Sequence, residues 1–206
     1  MKKHKLYILA LSMLALLAVI SVTEGFLAKY MRSQSLNSNI KFSAGLTKDL
    51  KLTENAAEKQ KDGSYILNEQ ETTENSYTVM PGVDIPKNPR VVITEKSRVD
   101  AYLYIEAVGN CPAGVTYTLT NDWQPLGNIT GPNGGAVYIY SGADGTPKVL
   151  NENFSASPIQ IISDDIITVS DSFSPTADFS LCFYGYMAQS QNDADAETVF
   201  NSSFIK

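Results

Sequence analysis

Histidine is almost missing from this chain of 206 residues: the only one is His4. Catalytic zinc centres draw mainly on histidine ligands, often an HExxH pair. Ser-His-Asp and Cys-His nucleophile systems need an imidazole base. With the sole imidazole at position 4, inside an apolar leader, the expectation is a protein that is not an enzyme and carries no cofactor. One catalytic class survives the shortage, a hydrolase working through carboxylates alone. Its visible acids are Asp164-Asp165 and Asp193, Asp195 and Glu197. Neighbouring strand residues point to opposite faces, so Asp164 and Asp165 pair only if a bulge turns one of them.

Positive charge is also short. Sixteen Lys and Arg face 22 Asp and Glu, a formal net charge of −6. Nucleic-acid affinity comes largely from basic contacts to phosphate, so no nucleic-acid partner is expected. Cysteine is limited to Cys111 and Cys182. In an exported chain two cysteines form a bridge or stay as two buried thiols, and the sequence leaves both open. A bridge across that span would contribute about 4 kcal/mol in the chain-entropy account. Long helical periodicity is missing beyond residue 28. The best candidate, Asn55 to Lys61, is polar throughout and reads as a loop or one exposed turn.

What is present begins with Lys2, Lys3 and Lys5, then an apolar run from Leu6 to Val22, then Thr23 and Glu24. Positive start, apolar middle and small residues near a cut are the layout of a secretory signal. The expected cleavage follows Ala28, with Gly25, Ala28 and Lys29 as the signal-peptidase site. Phe26 is bulky where a small residue is usual. The run of 17 residues is also at the short edge of what spans a bilayer, so a retained membrane anchor is the alternative. Cleavage would lower Lys and Arg from 16 to 13 and Asp and Glu from 22 to 21, leaving about −8. The division expected is a signal helix over 1–28, an N-terminal strand or donor segment over 29–47, and one domain over 48–206.

Within that domain, short β-type runs alternate with Gly, Pro, Asn and Asp clusters. Arg90–Thr94, Ala101–Val108, Val115–Thr120, Ala136–Ser141, Pro147–Leu150, Pro158–Ser170 and Phe179–Gln189 are the expected strand regions. In Ala101–Val108, Tyr102, Tyr104 and Glu106 share one face, and Leu103, Ile105 and Ala107 the other. Gly142-Ala143-Asp144-Gly145 reads as a hairpin turn. Asp164-Asp165 reads as a bulge or turn dividing two strands. Phe179, Leu181, Phe183 and Met187 fall on one face. Lys48 to Asn75 reads as a hairpin or a long exposed loop. The sum is an all-β fold, an antiparallel β-sandwich of jelly-roll-like type.

Three segments carry a family resemblance: Gly25 to Tyr30; Ile40 to Gly45 followed by Leu50 and Leu52; and Val79 to Ala107, VMPGVDIPKNPRVVITEKSRVDAYLYIEA. Their order and spacing resemble the TasA–camelysin family of Gram-positive exported proteins. The segment FSLCFYGYMAQSQ is similar to that family's last strand. Phe26, the region from Cys111 to Phe154 and the two cysteines depart from the pattern. The resemblance implies a jelly roll, export through a dedicated signal peptidase, and a role as a subunit of a biofilm matrix or surface fibre. It further implies self-association, in which the segment freed by cleavage, roughly Lys29 to Ala44, adds as a strand to the next subunit. Ile40, Phe42 and Ala44 would be its inward residues. Some members of the family are described as metalloproteases, which the missing histidine disfavours.

The same alternation fits a first strand kept in the chain's own sheet. A second function also stays open, a monomeric surface-binding module for carbohydrate or protein. Tyr102, Tyr104, Tyr138, Tyr140, Tyr184 and Tyr186 would offer a sugar-binding face, although strand tyrosines more often pack. Asp193, Asp195 and Glu197 are weak calcium candidates, but the EF-hand pattern fails for want of its glycine and distal glutamate. The expected localisation is secreted, at the cell surface or in the matrix, with membrane contact only through the N-terminal segment before cleavage.

Overall fold

A computed structural model describes residues 32–42, 50–93, 99–151, 153–154, 158–174, 178–190 and 194–205. The signal helix expected over 1–28, with Gly25, Ala28 and Lys29, lies outside them, as does Ala44. The fold is all-β, with largely antiparallel sheets curled as a half-barrel. Its strands are β1 (Arg32–Phe42), β2 (Leu50–Lys59), β3 (Tyr65–Thr72), β4 (Glu74–Val79), β5 (Ile85–Pro86), β6 (Arg90–Ile93), β7 (Ala101–Gly109), β8 (Val115–Thr116), β9 (Trp123–Thr130), β10 (Ala136–Tyr140), β11 (Val149–Leu150), β12 (Ile159–Gln160), β13 (Ile166–Val169) and β14 (Leu181–Gln189). One helix, α1 (Ala196–Phe204), follows.

The largest sheet runs β4-β1-β14-β7-β10-β9, with β11 also on β7. Two smaller sheets run β12-β6-β2-β3 and β5-β13-β8. Among the described residues, every ladder is antiparallel except β1 with β14. The longest pairing joins β14 to β7 over nine residues, Leu181 opposite Gly109 through Gln189 opposite Ala101. Both strands alternate as the sequence predicts. Leu103, Ile105, Leu181, Phe183 and Met187 enter the main core with Val91 and Ile161. Tyr104, Tyr186 and Ala188 face the other way and meet Val199 and Phe200 of α1 in a second core. The central sheet is therefore covered on both faces, which explains why its strands carry apolar or fully satisfied groups on each side.

Three expectations are corrected here. The polar stretch Asn55–Lys61 is mostly strand: β2 runs to Lys59 and pairs with β3, with a register shift between Asn55 and Ala57. The hairpin reading of 48–75 holds. The Gly142–Gly145 turn forms, with Gly145 N–H donating to Gly142 O at 3.1 Å. It does not join paired strands, because β10 and β11 lie one after the other along the same edge of β7. The stretch around Asp195 and Glu197 is no loop beyond Asp195. It is the start of α1, with the Asp195 carboxylate accepting from Thr198 N–H at 2.7 Å as the cap.

Candidate functional site

The expected assembly strand forms a strand, and its place is unusual. The first half of β1, Arg32 to Asn37, pairs antiparallel with Val79 to Glu74 of β4. The second half, Ser38 to Phe42, pairs parallel with Phe183 to Met187 of β14. Ile40 and Phe42 thus sit opposite Gly185 and Met187. One chain segment bridges two strands that, among the described residues, have no ladder with each other.

The cysteines do not form the bridge that was left open. Both Cys111 and Cys182 are free thiols. Cys182 is paired with Val108 in the β14–β7 ladder, three positions before Cys111. Cys111 lies past the end of β7, outside that ladder. Burial pushes the Cys111 thiol pKa up, so it is a poor nucleophile.

The calcium candidates are dispersed in role. Asp195 caps α1, and its bonds to Thr198 hold its pKa down. Glu197 lies in the first helical turn, where a negative charge suits the helix dipole. Asp193 lies outside the described residues. Asp164 and Asp165 do form a turn, each at positive φ, 57° and 58°. They divide β12 from β13 as expected, and their side chains belong to a surface turn.

The tyrosine face resolves into packing. Tyr104 and Tyr186 are fully buried beneath α1, with ring centroids 5.0 and 5.5 Å from Phe200. Tyr140 stacks edge-on against Trp123 in the main core. Tyr102, Tyr138 and Tyr184 are half-buried.

Two buried carboxylates were not singled out as sites by sequence. Glu106 is fully buried beneath the β9–β10 turn. It accepts from Asn133 N–H, Asn133 Nδ2 and Gly135 N–H, each at 2.8 Å, and from the Tyr186 hydroxyl. The turn comes so close that a Cβ on Gly131 would stand 2.4 Å from Glu106 Cδ. The carboxylate is saturated, which fits a structural pin.

Glu54 is different. It and Lys87 are both wholly buried, with Lys87 Nζ donating to Glu54 Oε2 at 2.7 Å. Oε1 has no hydrogen-bond partner. Burial is the main influence on both groups, raising the Glu54 pKa and lowering that of Lys87. The Asn75 amide stands by the same carboxyl and pulls its pKa partly back. One N–H of that amide is directed to the Asn55 carbonyl at 2.8 Å, and the second is left to act toward Glu54. Lys87 is fixed along the backbone: its N–H donates to Asp165 O at 2.7 Å, and the Tyr77 hydroxyl donates to Pro86 O at 2.8 Å.

Comparison of the chain with protein-family models, with curated proteins and with solved structures finds no match.

Proposed function

We propose that this protein is a secreted structural subunit of an extracellular matrix or surface fibre, of TasA–camelysin-like and jelly-roll-like type, joined to its neighbours through its N-terminal strand. Support comes chiefly from the position of β1. It lies at the N-terminal end of the described chain and bridges β4 and β14, each half holding a ladder on one of them. Withdrawing such a segment would expose strand edges on β4 and β14, and a second copy's β1 would restore the same main-chain hydrogen bonds. Strand addition of this kind takes affinity from backbone pairing and specificity from alternate side chains. Head-to-tail exchange does not close on itself, so it builds a filament. Cleavage after Ala28 by a signal peptidase would supply the free end.

Electron microscopy of the secreted protein tests the reading. Protein with an intact Lys29 terminus should form filaments as concentration rises. Deleting residues 29–44 should abolish them while leaving a soluble, folded domain. A chain that stays monomeric at high concentration would sink the fibre reading and leave the surface-binding module. Collapse of the deleted form would show that β1 belongs to its own sheet alone.

A further inference from the structure

Glu54, Lys87 and Asn75 bring together, in the interior, a carboxyl, an amine and a carboxamide. Glu54 is on β2, Asn75 on β4 and Lys87 directly after β5. Glu54 and Lys87 are 0% exposed and Asn75 6%. A buried ion pair is well supported only when the remaining lone pairs and protons are hydrogen-bonded. Here one carboxyl oxygen has no partner. Burial acts on both groups in the sense that favours the acid and the free amine over two charges. A neutral amine is a nucleophile, and a protonated carboxyl is a general acid that becomes a base once it has given its proton.

The Asn75 amide is fixed at both its oxygen and its nitrogen. Asn75 Oδ1 accepts the Ala57 N–H at 2.7 Å, which polarises its carbonyl and would stabilise charge developing on that oxygen. Asn75 Nδ2 donates to Asn55 O at 2.8 Å, which fixes the orientation of the carboxamide. Asn55 O and Ala57 N–H point to the same side of β2, at the place where its register with β3 shifts, and the carboxamide spans them. Lys87 is anchored at its own N–H and at the preceding carbonyl. Proximity in a fixed geometry is what makes amide exchange, very slow in water, feasible without a cofactor.

We propose that Lys87 and Asn75 are a modification site, at which the chain forms an intramolecular amide cross-link with Glu54 as the proton-transfer group. The Lys87 Nζ–Asn75 Cγ bond forms and the Asn75 Cγ–Nδ2 bond breaks. Glu54 relays to Nδ2 the proton lost by the attacking amine, and Nδ2 leaves as ammonia. The carboxyl is regenerated, and no oxidant or reductant takes part. The product ties β4 to the segment after β5, independently of whether the protein forms fibres.

Intact-mass measurement of the denatured full-length protein, checked against its sequenced N-terminus, tests this directly. The expected mass is lighter than the sequence by one ammonia, and digestion should release a branched peptide joining Asn75 to Lys87. Glu54→Gln and Lys87→Met should each restore the full mass. A wild-type protein of full mass overturns the proposal. So does loss of ammonia without a branched peptide, which marks a succinimide at Asn75. Loss of one water with Lys87 joined to Glu54 overturns the assigned partner. A Glu54→Gln protein that still cross-links overturns the role of Glu54.

Discussion

Glu106 shows how one buried side chain can organise a turn. Its sequence signal is modest, a glutamate in line with Tyr102 and Tyr104 on one face of a strand. Alternation predicts that face correctly, yet it does not reveal that the face is covered. The Gly131–Gly135 turn and Tyr186 together supply four donors to this carboxylate. Hydrogen bonds to a charged group contribute about 1.5–3 kcal/mol each, and donors in an exposed turn recover part of that from water. Glu106→Ala is therefore expected to lower unfolding free energy by roughly 3 kcal/mol in urea titration. Loss of order should concentrate in residues 131–135, readable by amide exchange.

At the scale of elements, the helix is the instructive miss. Asp195 followed by Glu197 and Thr198, with Ala196, Val199, Phe200 and Phe204 at helical spacing, is a legible start signal. The alternate carboxylates of the same stretch also suit oxygen ligation of a metal, a pattern that competes with the helix signal. Nine residues are too few to hold a helix in water, so α1 depends on the sheet face it covers. Phe200 is its anchor, 0% exposed and in edge contact with Tyr104 and Tyr186. Phe200→Ala should cost about 3–5 kcal/mol, seen as a lower denaturation midpoint with near-unchanged strand content. The β10–β11 segment is a second case. Glycines 142 and 145 mark the turn, at φ 65° and 73°, but nothing local says whether the two flanks pair with each other or with β7.

At the scale of the molecule, two cores on the two faces of one sheet give the protein an alkaline limit. Desolvation pushes the Tyr117 hydroxyl up to about 12 and drives Tyr77, Tyr104 and Tyr186 further up. A tyrosine whose folded pKa is raised contributes nothing extra to pH-dependence below the unfolded value near 10. Its stabilising share is then lost as pH climbs from there through the folded value. Phenolate absorbance should therefore rise first for exposed rings, with the buried set titrating only as the fold opens above about pH 12. Simple independent titration of all eleven tyrosines near 10 in a still-folded protein would contradict the packing described.

The sequence alone determined the all-β class, the faces of β7 and β14, and the dividing turn at Asp164-Asp165, because these follow from period-two alternation and local turn chemistry. It left 48–75 as a hairpin or a long exposed loop, and the β2–β3 pairing is the hairpin. Only the tertiary structure decided that β1 bridges β4 and β14, that Cys111 and Cys182 are free thiols, that Asp195 caps a helix, and that Glu54, Lys87 and Asn75 meet in the interior. Pairing and burial of residues far apart in the chain depend on which strands become neighbours, and local patterns carry almost no record of that choice.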